Sequence, residues 1–271
     1  PIKGLSIGKG NVYFEDTIQH LIFSGNYFFS DDSTKTVLLT DKALVRSVSK
    51  KDTLYIHADT LFAFKDSLDE FKQVKGYYNV LFFKNDLQGK CDSMFYDRKV
   101  GKMELFEEPI VWTIGEKSEK SELKGDFIEV LFKGDSLIQK MNIIGNSTVL
   151  LEVDSGVYYN QIGGKDITAF FSNNDIVRTD VRGNARTVFF PENKDKETDT
   201  SIVIKRLGMN RIYASDLRIY LDSNEVKGVT YFDKPDGVFY PIEKLNKEEQ
   251  FIKGFEWKIA LRPKNWKELI E

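Results

Sequence analysis

A four-residue phrase that recurs six times constrains this chain more than any other feature. Gly25-Asn26-Tyr27-Phe28, Ala58-Asp59-Thr60-Leu61, Cys91-Asp92-Ser93-Met94, Gly125-Asp126-Phe127-Ile128, Gly164-Lys165-Asp166-Ile167 and Ala214-Ser215-Asp216-Leu217 align one beneath another. Each copy gives a small residue, two mostly polar positions and an apolar one. The apolar position recurs at 28, 61, 94, 128, 167 and 217, at intervals of 33, 33, 34, 39 and 50. A period held over four copies and then lengthened marks a repeat array whose later members carry loop insertions.

Each unit has a second half. Eleven to seventeen residues after the apolar position stands Ala43, Gly76, Pro109, Gly145, Gly183 or Gly228. In most copies a β-rich run follows: Val80–Phe83, Ile110–Trp112, Thr148–Leu151, Thr187–Phe190 and Val229–Phe232, with a weaker first copy at Leu44-Val45. The expected unit is two short strands joined by polar turns, which is one rung of a β-solenoid or elongated jellyroll.

With 271 residues the chain is long enough for one large β domain or two ordinary ones, and the repeat favours one continuous body over 1–232. Many aromatics and only 6 Pro suit strands rather than disorder. The 39 Lys and Arg are interspersed with 42 Asp and Glu, so there is no basic stripe for nucleic acid. A single cysteine excludes an internal disulfide, and Cys91 occupies the column otherwise filled by Gly and Ala, where it reads as a small buried residue. No stretch approaches the length of a membrane span.

Along the chain, Gly10–Phe14 reads as the second half of a unit whose first half is missing, so the array is expected to extend further toward the N-terminus and β pairing to have a free edge there. Asp31-Asp32-Ser33, Lys50-Lys51-Asp52, Lys84-Asn85-Asp86 and Asn173-Asn174-Asp175 are turn clusters. The apolar position and the one two residues on share a strand face: Leu61 with Ala63, Met94 with Tyr96, Ile128 with Val130, Ile167 with Ala169, Leu217 with Ile219. The small residue three places earlier has the opposite parity, which is compatible with a bend or bulge between them. Stacked in register these columns make an apolar ladder, filling a closed core or lining a groove open to a ligand. Residues 191–201 are almost wholly polar and read as a surface loop. In the tail, 233–271, Pro241–Phe251 reads as a short helix and Phe255–Leu261 as a strand, together a cap over the last rung.

Catalytic and metal signatures are missing. His20 and His57 have no partner ligands at useful spacing, and neither a nucleophile elbow, a phosphate loop nor H-E-x-x-H occurs. The repeated Asp59, Asp92, Asp126, Asp166 and Asp216 come about once per unit, too sparsely for a calcium repeat, and read as turn or edge residues. No cofactor is expected.

The rung pattern, Ala58-Asp59-Thr60-Leu61 with the later Gly145-Asn146-Ser147-Thr148-Val149 and Gly183-Asn184-Ala185-Arg186-Thr187-Val188, resembles the LptA/OstA-like family of periplasmic lipopolysaccharide-transport proteins over roughly 10–232. Asn26 and Lys165 depart from it in the Asp column. The resemblance implies a jellyroll of stacked V-shaped strands, a periplasmic setting, end-to-end jellyroll partners through an edge strand, and non-enzymatic conveyance of lipopolysaccharide or a related lipid. The expected lipid-lining residues are Phe28, Leu61, Ala63, Met94, Tyr96, Ile128, Val130, Ile167, Ala169, Leu217 and Ile219. Two other functions fit the repeat: a structural or adhesive protein with a dry closed core, and a solenoid carbohydrate-active enzyme, which needs carboxylates clustered on one exposed face.

Overall fold

The alternating runs become strands, and every strand pairs with its neighbours in an antiparallel sense. The computed structural model describes residues 4–50, 52–115, 118–134, 137–195, 203–222 and 225–271. Within them the chain forms β1 (Leu5–Asp16), β2 (Leu21–Asp31), β3 (Thr36–Val48), β4 (Thr53–Lys65), β5 (Phe71–Lys84) and β6 (Leu87–Asp97). Next come β7 (Lys102–Phe106), β8 (Ile110–Ile114), β9 (Lys120–Lys124), β10 (Phe127–Lys133), β11 (Leu137–Val153), β12 (Tyr158–Ser172) and β13 (Asp175–Phe189). The last are β14 (Glu192–Asp195), β15 (Val203–Arg206), β16 (Gly208–Asp222), β17 (Glu225–Phe232) and β18 (Asp236–Pro241). All but β14 and β15 belong to one sheet, which meanders in sequence order from β1 to β17. The all-β, repeat-stacked class is therefore as read from the sequence.

The unit is larger than expected. Instead of two short strands it is two long ones, each bent near its middle, so the sheet is folded lengthwise into two half-sheets. A bend does fall between the small and the apolar residue: the ladder register slips at Ser24/Tyr27, His57/Thr60, Ile144/Ser147, Gly163/Asp166 and Arg182/Ala185. The slip turns both the small and the apolar residue inward, and Ala58 and Leu61 are both buried. On alternate strands other than β5, whose corner has Asn79 alone at positive φ, the corner is a residue pair in the left-handed region: Gly10-Asn11, Asp41-Lys42, Glu107-Glu108, Gly145-Asn146, Gly183-Asn184 and Asp233-Lys234. Four of the repeated aspartates bond to corner residues, while Asp92 accepts from its neighbour Ser93. Asp59 accepts from Asn79 Nδ2 at 2.9 Å, Asp126 from Asn146 Nδ2 at 3.2 Å, Asp166 from the Gly145 amide at 3.1 Å and Asp216 from the Gly183 amide at 2.8 Å.

Two spacing assignments shift. Gly76 lies before its corner, opposite Leu61 and Met94 in the sheet, where a Cβ would sit 3.2 Å from Met94 Cγ. Gly228 pairs with Tyr220, and Val229–Phe232 pairs back on Asp216–Ile219, so the second half of the last unit is β18 rather than that run. Sequence distance from the apolar position cannot see the corner, because insertions on either side move it.

The tail differs most from expectation. It holds no α-helix and no strand after β18, only short 3-10 turns at Ile242–Lys244, Lys247–Gln250, Ile259–Leu261 and Trp266–Leu269. It turns back and runs along the outer surface of one half-sheet toward the N-terminal units. The polar stretch 191–201 also differs at its start: 192–195 pair with 203–206 as β14 and β15, and 196–202 lie outside the described residues.

Candidate functional site

One row of directly opposed residues crosses the first half-sheet from its second strand to its last: Phe28, Leu39, Leu61, Gly76, Met94, Leu105, Ile128, Ile143, Ile167, Val181, Leu217 and Tyr231. It spans twelve strands, roughly 50 Å at the usual strand spacing. A second row lies two residues further out: Val37, Ala63, Val74, Tyr96, Met103, Val130, Met141, Ala169, Thr179 and Ile219. Every residue expected from the repeat lies in one of these two rows.

Facing them from the second half-sheet is the row Phe14, Phe23, Val45, Ile56, Phe82, Gly89, Val111, Leu123, Val149, Ile162 and Thr187. Residues of both half-sheets belong to one apolar cluster. The periodicity missed this wall, because its members stand outside the recurring phrase.

The base of the ladder is dry: Leu61 is 1% exposed, Met94 2% and Ile128 0%. Its margin is uneven. At the N-terminal end the two walls are sealed by Phe14, Phe23 and Phe71, with Phe23 and Phe71 ring centroids 4.8 Å apart. Gln19, in the β1–β2 turn, reinforces that seal by donating to the Phe71 carbonyl and accepting from its amide. Toward the other end Thr187 and Tyr231 meet across the gap at 3.3 Å between their hydroxyls. Between these closures the facing margins are apolar but only half-buried: Tyr96, Met103, Met141 and Ala169 on one side, Leu123, Val149 and Ile162 on the other. Side chains at a solvent-facing rim are ordinarily polar, so this is a seam rather than an ordinary edge.

The candidate titratable groups do other work. His57 Nδ1 lies 2.7 Å from the Ala43 carbonyl oxygen, tying adjacent strands. Burial pushes the Cys91 thiol up to about 12, so it is an inert filler of the small-residue column. Among the described residues no group of three or more His, Cys, Asp or Glu is placed to hold a metal ion, and no helix is long and apolar enough to cross a membrane.

No protein-family model and no curated protein matches the chain. Among solved structures it is similar to LptH, the LptA homologous periplasmic component of the lipopolysaccharide transport device from Pseudomonas aeruginosa, at 11% identity and a TM-score of 0.26 over 60% of this chain and 84% of that chain.

Proposed function

We propose that the protein binds the acyl chains of lipopolysaccharide or a related lipid between its half-sheets and conveys them without chemical change. The observation that carries this reading is the half-buried apolar seam between two closed ends, backed by a ladder with no polar side chain from Phe28 to Leu217. Separating the margins would admit an acyl chain to a surface that excludes water, at about 0.8 kcal/mol per buried methylene before the cost of ordering. Phe28, Leu61, Met94, Ile128, Ile167 and Leu217 would form the floor. Ala63, Tyr96, Val130, Ala169 and Ile219 would form one margin. A periplasmic setting and end-to-end partners follow from the rung resemblance and belong to the same proposal.

The dryness of the floor favours a second reading, a structural β-repeat protein with a permanently closed core. Native mass spectrometry with added lipopolysaccharide separates the two. The parent should retain or acquire lipid, and Met141→Glu with Val149→Glu, both at half-buried positions and so compatible with folding, should cut occupancy at least tenfold, since burying a charge beside hydrocarbon is strongly unfavourable. Clean parent protein at saturating lipid, or variants that bind as the parent does, would leave the closed core as the reading.

A further inference from the structure

The tail follows one register line. Tyr55, Phe83, Gln88, Trp112, Glu122, Leu150, Gln161, Val188 and Arg211 are directly opposed on successive strands, on the outer surface of the second half-sheet. Read from 249 to 270, the tail meets that line in reverse order. Arg211 donates to the carbonyls of Glu249 and Phe251 at 3.2 and 3.1 Å. Gln161 donates to the Gln250 carbonyl at 2.6 Å and accepts from the Ile252 amide at 2.9 Å. Glu122 accepts from Lys258 N at 2.7 Å, and Gln88 from Arg262 Nη1 at 2.9 Å. Trp266 stacks on Tyr55 at 5.1 Å, and Leu269 is buried with Leu44 and Phe83.

The attachment differs in kind from the sheet. The segment contributes no strand and is held by side chains reaching its backbone, by side-chain pairs such as Gln88 with Arg262 and Arg211 with Glu249, and by two small apolar clusters. Such a segment belongs to the low-stability end of a structure, able to open while the ladder stays closed. Its position gives that opening a consequence. Glu122, Leu150 and Gln161 alternate along β9, β11 and β12 with Leu123, Val149 and Ile162, which form the half-buried wall of the seam on the other face. The firmest tail contacts thus back the loosest part of the slot.

We infer that residues 249–270 are a strap whose docking sets the separation of the two half-sheets, and that its release widens the seam. The strap itself is independent of what enters the slot; only its use as a gate rests on the lipid-binding reading.

The chain carries its own reporters. All 3 tryptophans, Trp112, Trp257 and Trp266, lie in the strap or beneath it, and the single cysteine, Cys91, is buried on the inner face. In an Ile252→Asp, Trp266→Ala, Leu269→Asp variant, red-shifted tryptophan emission should accompany a disulfide-reagent reaction at Cys91 on the order of tenfold faster, with the far-ultraviolet sheet signal retained. A red shift with Cys91 as protected as in the parent makes the strap a mere cover and overturns the inference. So does emission that fails to shift. Should that variant not fold, the parent in sub-denaturing urea decides: tryptophan exposure and Cys91 reaction must rise together before the sheet melts, and their coincidence with global unfolding overturns the inference. If Cys91 is freed but uptake of a fluorescent acyl probe does not change, the strap stands and the lipid reading fails.

Discussion

At the scale of single residues, the least expected is Glu122. It is fully buried yet carries a carboxylate, accepting from Trp112 Nε1 at 2.9 Å and from the Lys258 amide, with Lys124 Nζ 3.7 Å away. Burial outweighs these partners and raises its pKa above the ordinary carboxylate value. A carboxyl whose folded pKa is raised binds protons more tightly in the folded than in the unfolded state, so its contribution to stability falls as pH rises from the unfolded value through the folded one. Glu122→Gln keeps an acceptor oxygen and removes the charge. Urea midpoints measured from pH 4.5 upward should therefore decline for the parent relative to the Gln variant until the folded pKa is passed, and then run parallel. A parent-minus-variant difference that is flat across that range would show that Glu122 does not titrate as its burial demands. The sequence offered little to find it by: a lone Glu in Lys120–Lys124 reads as an exposed strand residue, and what buries it arrives from 258.

At the scale of the element, the corner decides how a strand is used. Gly145 has φ +73°, and a Cβ there would stand 2.1 Å from Asp126 Oδ2, the group that holds the facing Asn146. Gly145→Ala should lower stability by more than about 1 kcal/mol, read as a shift of the thermal midpoint, because it combines left-handed strain with the loss of that lock. Gly134, also at positive φ but with open space about it, should lose less on the same substitution, and equal losses would show that the Asp126 contact adds nothing. The pair at each corner was legible wherever it is Gly-Asn. It was hidden at Asp41-Lys42 and Glu107-Glu108, where charged residues adopt the left-handed region. Outward from the corner the same strands carry an unforeseen contrast. The outer row of the first half-sheet is apolar at Phe29, Leu38, Phe62 and Phe95, broken only by Lys75, and then turns polar at Glu104, Glu129, Asn142 and Thr168. Alternation alone expected polar residues throughout.

At the scale of the whole molecule, stacking makes each unit lean chiefly on its neighbours, since strands pair in sequence order, and such an array unfolds with limited cooperativity. The strap is the exception, joining β16, β12, β9 and β6 to one segment. The strap-release variant should accordingly show a shallower urea transition than the parent as well as a lower midpoint, because ends no longer coupled melt separately. An unchanged slope would mean that the sheet alone supplies the cooperativity. The repeated phrase by itself determined the all-β class, the stacking and the inward rows, because period and parity are local properties that a strand carries wherever it lies. The eleven apolar positions read from the repeat lie in the two inward rows. Tertiary structure alone decided the facing wall, the uneven seam and the path of the tail. These depend on which surfaces meet after the sheet folds on itself, and residues as distant as Gln88 and Arg262 share no sequence signal that they will touch.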